Sequence, residues 1–148
     1  VFKNIEDYDL AVENYLNAIT ANPFEEKYAK AIAVISQIMA KEGDTEYRRK
    51  EYEEAIEYYL KAVKYSPDYT IALFKIARTY YKTGDLENCQ EYLQQNIAID
   101  NEQEQSHKML GDIMRKQGDV DKAIHHYNIA IQINGNYSDW TYILLHVC

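Results

Sequence analysis

Glycine and proline are scarce in this chain, 5 and 2 residues among 148. A β-sandwich or barrel needs such residues at many tight turns, so their scarcity excludes an all-β fold. Cysteine is scarcer still: Cys89 and Cys148 have no CxxC spacing. Two such thiols build no disulfide frame and fit a reducing compartment. Long apolar runs are missing. The best, Ala31 to Ile35, stops at Ser36 and Gln37, far short of the roughly 18 residues that span a bilayer, so direct membrane insertion is not expected. Positive charge is in deficit, 16 Lys and Arg against 24 Asp and Glu, for a formal charge of −8. The bulk field of such a chain repels nucleic acid and anionic lipid.

Catalytic signatures are also missing. There is no GxSxG, Walker loop or dinucleotide fingerprint. The histidines are His107, His125, His126 and His146. Adjacent residues on a helix point about 100° apart, so His125 and His126 do not converge on a zinc ion, and neither do His146 and Cys148. Solvated or half-buried histidines are the expectation, with Cys89 as an inert buried thiol. Glu53, Glu54 and Glu57 read as a solvated face rather than paired catalytic carboxylates. No enzyme activity is expected, and no catalytic residue, cofactor, metal ion or small-molecule substrate.

What is abundant is tyrosine, 15 residues, and it recurs with a period. Small residues stand at Ala11, Ala55, Cys89 and Ala123, at intervals of 44, 34 and 34. Four residues after them stand Tyr15, Tyr59, Leu93 and Tyr127, and three further on Ala18, Ala62, Asn96 and Ala130. Pro23, Pro67, Asn101 and Gly135 close each unit. This cadence is the second half of a tetratricopeptide repeat. The first half is present as Leu110-Gly111 before Met114 and Ile76-Ala77 before Tyr80. Gly84-Asp85 and Gly118-Asp119, again 34 apart, read as turns between helix A and helix B. Glycine accepts the left-handed conformation that ends one helix, and aspartate caps the next. Small residues let helices cross closely, with a large ring filling the groove beside them.

The expected fold is all-α, a right-handed superhelical solenoid of these helix-turn-helix repeats, with about eight helices. Residues 1–25 are expected to form the helix B half of a preceding repeat. Full repeats follow at 29–69, 70–103 and 104–137, and residues 138–148, with Trp140 and Leu144, open a further helix A. The chain begins Val1-Phe2-Lys3 and starts and stops within the pattern, so it is expected to be a piece of a longer array. Gly43-Asp44 precedes Gly84-Asp85 by 41 residues. The preferred reading places a seven-residue insertion near Thr45 to Glu51, with Ile32, Ile35, Ser36 and Met39 in the core. The alternative starts the repeat at Ser36, with Gly43 at the small position; it is disfavoured because it buries Glu42 and Glu46.

Charge divides by helix. Thr70 to Thr83 carries Lys75, Arg78 and Lys82 and no acid, whereas Asp85 to Asp100 carries Asp85, Glu87, Glu91 and Asp100 and no base. Helix A residues line the concave face of such a solenoid. The candidate partner-binding groove is Phe74, Arg78, Tyr81, Lys82, Lys108, Asp112 and Arg115, with Lys116 beside them. Cations and rings together suit an extended acidic peptide or acidic helix. Repeat domains that clamp the acidic tail of heat-shock chaperones carry Lys and Asn, then Asn, then Lys and Arg at the fifth and ninth repeat positions. Here those positions hold Ala33 and Gln37, Phe74 and Arg78, Lys108 and Asp112, so that clamp is not expected.

From Glu54 onward, about 95 residues, the sequence resembles a particular family. The residues that carry this are Asp100-Asn101-Glu102, the run Gly111-Asp112-Ile113-Met114-Arg115-Lys116-Gln117, Ala123 with His126-Tyr127, and Asn136-Tyr137. Lys61-Ala62, Ala77-Arg78, Asp85 and Asn88-Cys89 are similar to the adjoining repeat. The resemblance is to the tetratricopeptide repeat protein 21 family, the long repeat subunit of intraflagellar transport complex A. It implies a non-enzymatic scaffold in a multiprotein ciliary transport train, serving retrograde transport and cargo handling. It implies other protein subunits as partners, and a cytoplasmic location at the cilium and its base.

Overall fold

The computed structural model describes residues 5–135. These form seven helices: α1 (Ile5–Ala21), α2 (Glu26–Arg49), α3 (Tyr52–Tyr65), α4 (Thr70–Thr83), α5 (Leu86–Ile99), α6 (Glu104–Lys116) and α7 (Val120–Asn134). No strand occurs among the described residues. The helix expected over 138–148, with Trp140 and Leu144, lies outside them. The described residues divide into two compact units, one ending at Ala72 and the other beginning at Leu73.

In the first unit α2 packs along α3. Ile32, Ile35, Ser36, Met39, Ala40, Gly43 and Glu46 recur at three- and four-residue steps on one face of α2 and are buried. Ala55, Ile56, Tyr58, Tyr59, Ala62 and Tyr65 form the buried face of α3. This spacing is that of a helix whose apolar stripe faces a neighbour. Gly43 sits where α2 and α3 come closest: a Cβ there would lie 2.5 Å from Cε1 of Tyr59. The Tyr59 hydroxyl donates to Asp44 at 2.8 Å.

These contacts correct the expected register. Gly43 is the small residue of helix A, and Gly43-Asp44 is not a turn. The turn is Lys50-Glu51, 34 residues before Gly84-Asp85, with Lys50 left-handed at φ 67°. There is no seven-residue insertion of two helical turns near Thr45 to Glu51, because Gly43 meets Tyr59 across the same 16-residue separation as Gly111 meets Tyr127. The extra length lies at the N-terminal end of α2. The burial of Glu46, which disfavoured this register, is made tolerable by Arg49, whose Nη1 lies 3.0 Å from the carboxylate. A paired carboxylate does not carry the full cost of an isolated buried charge.

α1 is held more lightly. Val12 is its buried residue, its Tyr15 ring lies 6.0 Å from that of Tyr28, and Asp9 accepts from Lys61 Nζ and from the Tyr65 hydroxyl at 2.7 Å. The Lys61 hydrogen bond holds the Asp9 carboxyl below its ordinary value.

In the second unit, Gly84 and Gly118 take φ of 88° and 81°, and Asp85 and Asp119 cap α5 and α7 by accepting from the backbone N–H of Asn88 and Lys122. Both pairs are therefore the turns their spacing predicts. Ala77, Cys89, Leu93, Leu110 and Ile113 form one buried cluster, and Met114, Ala123, Tyr127, Ala130 and Ile131 another. At Gly111 a Cβ would lie 2.5 Å from Cε1 of Tyr127, and the Tyr127 hydroxyl donates to Asp112 at 2.6 Å. The Gly-Asp-Tyr trio of residues 43, 44 and 59 thus returns at 111, 112 and 127. The same positions midway hold Ala77, Arg78 and Leu93. Alanine replaces glycine where leucine replaces the ring, which is the volume exchange close packing requires.

Candidate protein-interaction groove

The expected groove residues come from two helices. On α4, Phe74, Arg78 and Tyr81 share a face because their spacings are four and three, and Lys82, four residues after Arg78, borders it. On α6, Lys108, Asp112 and Arg115 share a face in the same way, with Lys116, four residues after Asp112, at its border. Lys82, Lys108, Arg115 and Lys116 are exposed, whereas Phe74, Arg78, Tyr81 and Asp112 are half-buried. Lys116 ties the two faces together, its Nζ 4.3 Å from the centroid of the Tyr81 ring. An ammonium at that distance is attracted to the ring quadrupole by about 0.5–1 kcal/mol at an exposed site.

Two residues play a different part from the one their type suggests. Phe74 packs against the buried cluster around Ala77 and Leu93, so its ring is a floor more than a free stacking platform. Asp112 accepts from Tyr127 and lies 3.9 Å from Nη2 of Arg115. Burial, and next the bond to Asp112, push the Tyr127 hydroxyl above its ordinary value, so it stays a donor. Asp112 is thereby engaged within its own repeat, where its charge offsets that of Arg115.

The other candidate groups behave as follows. Cys89 is fully buried with Sγ 3.8 Å from the sulfur of Met109. Burial pushes its thiol up to about 12, which leaves no reactive thiolate at neutral pH. Glu57 borders a cavity of about 450 Å³ with Ile5, Tyr58, Leu60, Lys61 and Lys64. Among the described residues no group of three or more His, Cys, Asp or Glu side chains gathers to hold a metal ion. His107 is fully buried rather than solvated or half-buried, and it meets His126 across the α6–α7 packing. Sequence spacing did not disclose that contact, because the two lie 19 residues apart on different helices. Among the described residues no helix is long and apolar enough to cross a membrane.

Family models match this architecture one after another: a TPR repeat over residues 43–84, and a tetratricopeptide repeat over 71–103 and over 105–137. Residues 43–137 are built of tetratricopeptide repeats, the repeat of protein–protein interaction scaffolds and generally of non-enzymatic modules. Among curated proteins the chain is similar to tetratricopeptide repeat protein 21B of Xenopus laevis, 28% identical over 86 residues, 58% of this chain and 6% of that protein. It is also similar to tetratricopeptide repeat protein 21A of Mus musculus, 26% identical over 110 residues, 74% of this chain and 8% of that protein. The chain therefore spans less than a tenth of the length of either relative. Among solved structures, the first TPR of Spaghetti (RPAP3) bound to the HSP90 peptide SRMEEVD superposes with a TM-score of 0.72 at 15% identity. That match covers 78% of this chain and 91% of the other, and it establishes the fold alone.

Proposed function

We propose that this chain is a segment of a long scaffold subunit in a ciliary transport assembly of the intraflagellar transport A type, acting in retrograde transport and cargo handling. The observation that carries this reading is the similarity to proteins 21A and 21B across as much as 74% of the chain. In this reading the repeats are 36–69, 70–103 and 104–137, and α1 is the helix B of a preceding repeat. The partners are other subunits of the assembly, in the cytoplasm of the cilium and its base. The test is a pull-down of the full-length protein from ciliated cells, read by mass spectrometry. Stoichiometric recovery of the other transport subunits is the expected result. Recovery of a single acidic client without them overturns the reading.

The cationic face of α4 and α6 favours a second reading, recognition of an acidic peptide or helix at Phe74, Arg78, Tyr81, Lys82, Lys108, Asp112 and Arg115. The Lys116–Tyr81 contact supports it, since it holds one cation and one ring ready on adjoining faces. Charge reversal at two positions, Arg78→Glu with Lys108→Glu, is then expected to weaken binding of an acidic peptide about tenfold or more and to flatten its salt dependence. Unchanged binding with unchanged salt dependence excludes the groove.

A further inference from the structure

His107 lies in the α6–α7 core at 1% exposure. Its Nδ1 is 3.1 Å from Nδ1 of half-buried His126. Its Nε2 is 3.1 Å from the carbonyl oxygen of Asn101 and 3.3 Å from Asn101 Oδ1. Both of those are acceptors, so the His107 proton sits on Nε2 and its Nδ1 is bare. His126 therefore donates through Nδ1–H, and both tautomers are set by the network.

The repeat register shows what this pair replaces. One repeat earlier the same positions hold Leu73 and Tyr92, and two repeats earlier Met39 and Tyr58. Leu73, Met39 and Tyr58 are each 1% exposed. An aliphatic or thioether side chain and a phenol ring hold these positions in two repeats, and two imidazoles hold them in the third. The former take up no proton in mild acid, whereas an imidazole pair does. A proton on Nδ1 of His107 would set N–H against N–H, and the charge would be buried on His107 or half-buried on His126.

The surroundings offer the charged forms little compensation. His125 faces the pair from α7, its ring centroid 5.5 Å from that of His126, and adds repulsion. Uncharged Asn101 faces it from the connection before α6. From α5, Asn96 is bonded to Ser106, the neighbour of His107. On α6, Glu104 is bonded to Asn134, and Lys108 is exposed. Asp100 accepts from the Glu102 backbone and from Gln103. Burial holds His126 down to about 4, with His107 and His125 adding to it, and burial also lowers His107. A histidine depressed in the folded state is protonated first in the open state. Its stabilising effect is complete above the ordinary value of 6.5 and is lost as pH falls toward 4.

We propose that the His107–His126 contact is a proton-operated latch in the last described repeat: mild acid opens the α6–α7 pair while the preceding repeats, which carry no imidazole at the equivalent positions, stay closed. The test is amide hydrogen exchange of the whole chain at about pH 7 and about pH 5, corrected for intrinsic rates. From His126 alone, protection within α6 and α7 is expected to fall about 20-fold relative to α2 and α3. His107→Leu with His126→Tyr installs the side chains of positions 73 and 92, and is expected to abolish that difference. An equal loss in the double variant, or no loss in α6–α7 relative to α2–α3, overturns the latch. Should the double variant fail to fold, ¹⁵N shifts of the imidazoles in the unaltered chain decide. Protonation of His126 in step with loss of α6–α7 protection supports the latch. Protonation without that loss, or loss without protonation, overturns it.

Discussion

At Gly111 one added carbon would meet the ring of Tyr127 at 2.5 Å, in a core with no room to give. Gly111→Ala is expected to destabilise the chain by up to about 2 kcal/mol in urea titration. Overpacking costs about 1–3 kcal/mol, more than the roughly 1 kcal/mol that alanine gains over glycine inside a helix. Adding Tyr127→Leu reproduces the combination at Ala77 and Leu93, so the two changes together are expected to cost less than their sum, by at least about 0.5 kcal/mol in a double-mutant cycle. Tyr127→Phe keeps the ring and removes only the hydroxyl bound to Asp112. It is expected to cost about 1 kcal/mol by the same titration. The periodic small residues were legible in the sequence because close approach demands them wherever it occurs. The Tyr–Asp bonds were not, since each joins residues 15 apart on different helices, and a spacing on one helix says nothing of its partner.

The helix pair of the first unit differs from the others mainly at its turn. Lys50 adopts φ 67° where its counterparts are Gly84 and Gly118, and Glu51 makes no side-chain cap where Asp85 and Asp119 do. A side chain in the left-handed region costs roughly 1–2 kcal/mol. Lys50→Gly with Glu51→Asp restores the pattern and is expected to raise stability by about 1 kcal/mol, measured as an upward shift in the urea midpoint. This turn also explains why the register is hidden in the sequence. Lysine stands where the other turns hold glycine, and Gly43-Asp44, seven residues earlier, has the composition of a turn while serving as a packing site and a hydrogen-bond acceptor. Glu46 adds to this, since its burial is offset by a salt bridge to Arg49 that a charged residue's type does not disclose.

Across the molecule, tyrosine chemistry sets the alkaline limit. Tyr58, Tyr65, Tyr69, Tyr80, Tyr92 and Tyr127 are all raised above 10, burial being the largest cause for each. A group raised in the folded state stabilises below its ordinary value and loses that contribution as pH climbs through the folded one. Ultraviolet titration is expected to show these six ionising late, and together with the loss of helical circular dichroism. On the acid side, Asp9 is lowered chiefly by Lys61. Its contribution is complete above the ordinary 3.8 and fades only below it. Lys61→Met is therefore expected to destabilise the chain at neutral pH, with an effect that shrinks as pH falls below 3.8, as read by urea titration. The groove was partly legible because α4 carries bases without acids. The engagement of Asp112 by Tyr127 was not, and neither was the seat of Phe74 on the core.

The alternation of Gly-Asp-Tyr with Ala-Arg-Leu bears on how such an array can change over time. A crossover at the loop between paired helices would join a glycine-bearing first helix to a leucine-bearing second one and leave a hole. The reciprocal product would press an alanine against a tyrosine ring. Exchange at the boundary between pairs carries each trio intact. The hairpin is therefore the unit that can be exchanged in this array without a packing defect, and a crossover within it is expected to cost stability even where both parent helices are sound.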